Sequence, residues 1–251
     1  MKLSVQLYTL REQTAADFPA VLRDLAKIGL PAVELAGYGS LKTATAVRKA
    51  LDDAGLAVSG AHVGIDALIG PDTNRVFDEQ ATLNNRFVIV PWVGEAYRSA
   101  DGYRRLAGEL TRVAEAASTR GLTVAYHNHN FEFQTYDGTR GLDILWQHTD
   151  AARVKAQLDV FWVAHAGVDP SAYIAELGAA RVSLLHLKDL AAGADKRFAP
   201  VGSGTLDFKA ILKAARQADV AWGAIEQDDC YGRPPMDVVR ESYNYLKSIG
   251  A

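Results

Sequence analysis

Val182-Ser-Leu-Leu-Leu-His-Leu-Lys188 is a β-favouring run that ends in an imidazole and an amine. Side chains alternate along a strand, so Val182, Leu184, His186 and Lys188 share one face. If that face lies inside a closed barrel, the apolar pair fills the interior and His186 and Lys188 emerge at its C-terminal mouth. The same pattern recurs along the chain. Strands are predicted at Leu3–Leu7, Ala32–Ala36, Ala57–His62, Phe87–Pro91, Thr123–His127, Val154–Asp159, Val182–Leu187 and Trp222–Glu226. Between and after them, helical spacing predicts helices ending at Ile28, then over Thr43–Ala54, Asp72–Asn84, Ala100–Arg120, Gly141–Thr149, Pro170–Gly178, Phe208–Ala218 and Met236–Ile249. For the first helix, Thr14-Ala-Ala-Asp17 reads as a capping box and Gly29 as the stop. Strands alternating with helices imply parallel pairing through right-handed crossovers. Eight such units in 251 residues imply an α/β fold of the (β/α)8 TIM-barrel type, a single domain over residues 1–251. No Gly-x-Gly-x-x-Gly follows the first strand, which argues against a doubly wound nucleotide-binding sheet.

Composition narrows the function classes. The net charge is −3 and no Lys/Arg cluster appears, so nucleic acid is not an expected partner. No apolar run approaches the ~18 residues of a membrane span, and no secretory signal is visible at the start of the sequence. Cys230 is the one cysteine, which excludes an intrachain disulfide and is consistent with a cytoplasmic protein.

The strand ends carry the chemistry. The second strand holds Glu34 late, the third ends in His62, and the fifth runs into Tyr126-His-Asn-His-Asn-Phe-Glu132, with His127 and His129 on one face. The sixth ends in Asp159 on the parity of Gln157, and the eighth in Glu226. Converging carboxylates without a cation would repel one another and lose hydration. A divalent ion removes that conflict, and mixed carboxylate and imidazole ligands suit Mn, Co, Mg, Zn or Fe.

Five stretches, Tyr126–Phe133, Gln157–Trp162, His186–Asp189, Pro200–Phe208 and Ala224–Asp228, make the chain resemble a known family. It is similar, over nearly its whole length, to the sugar phosphate isomerase/epimerase group of xylose isomerase-like barrels, whose members include ketose 3-epimerases, inosose dehydratases and 3-keto-sugar enzymes. The resemblance implies one divalent metal held by residues after strands five to eight. Asp159, His186 and Glu226 match three of these positions; His127 stands where the family has a glutamate, with Glu132 as the alternative fourth ligand. Strand parity favours His127. Their places at the strand ends make His62 and Glu34 candidate substrate contacts; the resemblance adds Arg197, and Trp162, which stands where ketose epimerases have a substrate-binding histidine. Catalytic roles fall to Glu226, Glu132, His129 and Lys188.

The expected activity is metal-dependent isomerisation or epimerisation of a sugar or sugar-like keto compound through an enediolate, with a small sugar or cyclitol as partner. The alternatives are a dehydratase or lyase acting on a keto-inositol or 3-keto-glycoside, and a non-catalytic sugar-binding barrel or subunit. A homo-oligomer fits many such barrels. Asp228 and Asp229 read as a solvated turn, and Trp92 and Phe131 as packing.

Overall fold

A computed structural model describes residues 1–251. The barrel strands are β1 Lys2–Gln6, β2 Ala32–Leu35, β3 Ala57–His62, β4 Phe87–Val90, β5 Thr123–His127, β6 Val154–Asp159, β7 Val182–Leu187 and β8 Trp222–Ile225. They form one closed ring in which β1 pairs with both β2 and β8. Every pairing in the ring is parallel. The surrounding helices are α1 Arg11–Ile28, α2 Ala44–Ala54, α3 Thr73–Thr82, α4 Ala100–Ser118, α5 Gly141–Gln147, α6 Pro170–Arg181, α7 Phe208–Gln217 and α8 Pro235–Ser248. No helix is long and apolar enough to cross a membrane.

Each helix turns an apolar stripe inward. In α4 the stripe is Tyr103, Leu106, Leu110, Val113 and Ala117, all buried. Burying a Leu or Val side chain contributes roughly 1.5–3 kcal/mol, so packing, more than helix propensity, holds the outer ring. The barrel interior is different. Its apolar plug is small, formed by Ile89, Ala125 and Leu184. Polar side chains are stacked above it towards the C-terminal end, among them the fully buried Gln6, Glu34 and Gln157.

One departure from the sequence reading and one irregularity of the sheet have clear causes. The first helix starts at Arg11, upstream of Thr14, whose hydroxyl donates to Arg11 O instead of capping. The kink falls at Asp17 (φ −151°), whose Oδ1 accepts from Ala20 N ahead of the helical run that contains Pro19. The register of β2 against β3 shifts between Val33 and Glu34, pairing Glu34 with Gly60. A Cβ at Gly60 would lie 2.6 Å from Ile89 Cδ1 and 3.2 Å from Glu34 Oε2. Glycine there lets the Glu34 carboxylate sit inside the barrel wall.

The long connections each carry a short antiparallel hairpin, Thr135–Tyr136 with Thr139–Arg140 and Asp189–Leu190 with Phe198–Ala199. The second is organised by the buried carboxylate of Asp189. Its Oδ1 accepts from Leu190 N (2.8 Å) and Leu206 N (3.1 Å), and its Oδ2 from Gly202 N (2.9 Å) and Gly204 N (3.0 Å). Gly202 has φ +93°, and a Cβ there would lie 2.3 Å from the Tyr245 ring. The Pro200–Phe208 stretch is thus a loop wrapped around one carboxylate.

Candidate active site

The strand ends bring Glu34, His62, His127, Asp159, His186, Lys188 and Glu226 into one contiguous cluster. At its base, Glu34 is buried and accepts from Gln6 Nε2 (2.7 Å), His186 Nε2 (2.6 Å) and Gln157 Nε2 (2.6 Å). His62 Nε2 lies 3.0 Å from Glu34 Oε1 and 2.9 Å from Gln157 Oε1. Burial works against the Glu34 charge, but His186 and His62 outweigh it and hold the carboxyl well below the usual range. His186 bridges two carboxylates, with Nε2 to Glu34 and Nδ1 2.7 Å from Glu226 Oε2. Burial would favour its neutral form; the two glutamates overcome that and push it up to about 10.

Asp159 does two jobs. Its Oδ1 accepts from Phe161 N (2.9 Å) and Trp162 N (3.2 Å), capping the short helix Val160–His165. Its Oδ2 is buried and accepts no hydrogen bond. Lys188 Nζ lies 3.0 Å from that oxygen as an ion-pair partner, while His127 Nε2 lies 3.8 Å away. Burial raises the Asp159 carboxyl against the opposing pull of Lys188. Lys188 is itself buried, with Nζ 2.6 Å from Glu226 Oε2 and 2.8 and 3.1 Å from the two oxygens of Asp228. Burial disfavours the ammonium, but Asp159, Glu226 and Asp228 together hold it charged.

Above this layer opens a cavity of about 420 Å³ lined by Tyr8, His62, Trp92, His127, His129, Lys188, Glu226 and Asp228, with Ala36 and Pro91. His129 keeps a buried Nδ1 without a partner. Burial and the nearby Lys188 lower it to about 3, so its ring is neutral. Asp228 is raised above the usual carboxylate range by burial and by Glu226, against the pull of Lys188. Trp92 and Tyr8 stay exposed at the rim, 52% and 46%, and face Arg98 and Arg11 at 5.2 and 4.5 Å.

Besides Asp159 and His186, which lie buried in the layer below, four residues expected to contact substrate or act in catalysis do not line the cavity. Glu132 is buried behind β5, where Tyr126 Oη donates to Oε1 and His129 N to Oε2, each at 2.8 Å. Glu34 lies at the base of the cluster with its oxygens taken by donors. Trp162 packs among Phe161, His165, Phe198 and His129. Arg197 is exposed and lies over the Tyr231 ring at 4.1 Å. Conversely, Asp228 joins the cluster instead of a solvated turn. Its parity with Glu226 hints at this in the sequence, but it lies beyond the end of β8, and the contact with Lys188 decides it.

Two groups of side chains offer ligand atoms within 4.8 Å of one another: Asp159, His186 and Glu226, and His62, His127 and His186. The first combines an imidazole with two carboxylates, one of them offering the buried Asp159 Oδ2 that accepts no hydrogen bond. That donor set suits a divalent cation, which would replace the proton between His186 Nδ1 and Glu226, and the residues fit one.

A family model described as a xylose isomerase-like TIM barrel matches residues 22–249. The chain belongs to that family. Among proteins similar to this family member is an inosose dehydratase of Clostridium beijerinckii (strain ATCC 51743 / NCIMB 8052), 25% identical over 174 residues. That alignment covers 61% of this chain and 57% of the relative's length. A sugar phosphate isomerase/epimerase from Parabacteroides distasonis ATCC 8503 superimposes with a TM-score of 0.85 at 24% identity, over 98% of this chain and 93% of that one. The IOLI protein with a binding zinc atom gives a TM-score of 0.77 at 14% identity, over 99% and 98% of the two chains. At these identities the two structures establish the fold.

Proposed function

We propose that this chain is a divalent-metal-dependent isomerase or epimerase acting on a sugar or sugar-like keto compound by removing a proton beside the carbonyl. The observation that carries this reading is the convergence of Asp159, His186 and Glu226 beneath a polar cavity of sugar size. Asp159, His186 and Glu226 would hold the cation, with His127 approaching from β5. When bound, the cation supplies Lewis acidity towards the oxygens of a hydroxyketone.

The chain's own groups do the rest. Asp228 faces the cavity with a carboxyl raised towards neutral pH, the range in which a general base works best. It takes the α-proton. Lys188, hydrogen-bonded to Asp228, offsets the charge that develops on the substrate oxygens. His129, neutral in this setting, offers an uncharged hydrogen-bonding ring to a hydroxyl. Glu226, held ionised by Lys188 and His186 against the effect of burial, serves as an anion rather than as the base. Trp92 and Tyr8 supply apolar faces for the CH edges of a sugar ring.

Similarity to an inosose dehydratase favours a second reading, dehydration of a keto-inositol or lyase action on a 3-keto-glycoside. Both reactions begin with the same proton removal. Incubation of metal-loaded protein with keto-sugars and keto-inositols in deuterium oxide tests both. Exchange at the α-carbon without loss of water supports epimerisation, and exchange with elimination supports the second reading. Neither exchange nor elimination with any of them refutes the shared step.

A further inference from the structure

We propose that Lys188 is a tethered cation that holds the place of the divalent ion, and that it must withdraw from Asp159 and Glu226, keeping Asp228, before a metal can enter. The inference rests on the metal reading above and adds a moving part to it. The oxygens that Lys188 approaches, Asp159 Oδ2 at 3.0 Å and Glu226 Oε2 at 2.6 Å, belong to two of the three residues that can share an ion. Two cations cannot occupy one nest of carboxylates without strong mutual repulsion. Asp159 and His186 are fully buried and do not line the cavity, whereas Lys188 and Glu226 do. An ion arriving from the cavity therefore meets the Lys188–Glu226 pair before it reaches Asp159 or His186.

The structure also provides a place for the lysine to go. Asp228 holds Nζ with both oxygens, at 2.8 and 3.1 Å, and lines the cavity. A long, flexible lysine stem can pivot on this contact. After the pivot the ammonium would keep its place on the cavity wall beside Asp228 but no longer reach the ligand oxygens of Asp159 and Glu226. Metal loading and presentation of Lys188 to substrate then become one event. Without metal, the lysine keeps the buried carboxylates compensated, which an unpaired cluster could not achieve at low cost.

The test uses Co²⁺ as the probe, with the full-length protein and its Lys188→Met variant. Titration calorimetry and visible absorption report affinity. Acetic anhydride labelling read by peptide mass spectrometry reports the accessibility of Lys188 in the wild type. The inference expects Lys188→Met to bind Co²⁺ at least about tenfold more tightly, and Lys188 to be acetylated faster once Co²⁺ is bound. Equal or weaker binding by the variant overturns it while leaving the metal reading intact, as does labelling that metal leaves unchanged or slows. Absence of Co²⁺ binding by both proteins overturns the metal reading and the inference with it. Binding by the variant alone keeps Lys188 as the occupant and removes the metal from the native enzyme. If Lys188→Met does not fold, the labelling of the wild type decides.

Discussion

His186 Nε2 lies 2.6 Å from Oε1 of Glu34, deep inside the barrel, while the other nitrogen of the same ring, Nδ1, is held by Glu226. The contact joins a residue at the end of one strand to a carboxylate more than half the chain away, and it orients the imidazole at the floor of the site. Glu34 therefore acts beneath the site, on the ring that faces Glu226.

Glu34→Gln places an amide NH2 among the donors of Gln6, Gln157 and His186 and leaves His186 with one anionic partner. Breaking a buried charged pair on one side costs about 3–5 kcal/mol. The expected outcome is a urea midpoint lowered by a stability loss of that order. A loss below about 0.5 kcal/mol, the range of ordinary surface substitutions, would show that the network does not hold the barrel interior.

Asp189→Ala tests the loop that follows β7. It orphans backbone N–H groups of Leu190, Gly202, Gly204 and Leu206. Loss of charge-assisted bonds of this kind costs about 1.5–3 kcal/mol each before solvent takes over the freed groups. We expect at least about 3 kcal/mol lost in urea unfolding, with early proteolytic cleavage between residues 190 and 207. An unchanged midpoint and an uncut loop would refute the role assigned to Asp189.

Glu132 predicts a pH dependence of stability. Burial raises its carboxyl from 4.5 to about 7, even though Tyr126 and backbone N–H groups pull the other way. Between those values the unfolded chain has released the proton and the native protein still holds it. Stability must therefore fall as pH rises from about 4.5 to about 7, by about 3 kcal/mol for this group, and stay level above. Glu132→Gln should lose that slope in unfolding curves measured across the window. A slope identical to that of the wild type would place the titration elsewhere.

Asp228→Asn tests the base. Removing a positioned general base typically costs 10²–10⁴-fold. On a substrate that shows α-proton exchange, kcat should fall by at least about 100-fold, while Co²⁺ still binds because Asp159, His186 and Glu226 remain. Unaltered turnover would remove Asp228 from the base role.

Much of this architecture can be read from the sequence. The strands Ala57–His62, Thr123–His127, Val154–Asp159 and Val182–Leu187 match the predicted limits, because alternation and polar ends mark them sharply. Parity alone places His186, Lys188, Asp159 and Glu226 together at the mouth. What escapes the sequence depends on packing. Glu132 lies five residues beyond His127, yet the chain turns through Asn128 and carries its carboxylate back to Tyr126, on the outer side of β5. Asp228 shares the parity of Glu226 but follows the end of β8, where only the ammonium of Lys188 shows that it turns inwards. Trp162 sits in a short helix started by Asp159 itself, and capping at that position is invisible when the residue is read as a ligand.

Equilibrium dialysis against Mn²⁺, Co²⁺ and Zn²⁺, followed by elemental analysis of the wild type, Asp159→Asn and Glu226→Gln, tests the central claim most directly. The account predicts one equivalent of a divalent ion on the wild-type chain and its loss from both variants while they remain folded. Failure of every metal to bind the wild type, or full retention by both variants, would contradict it.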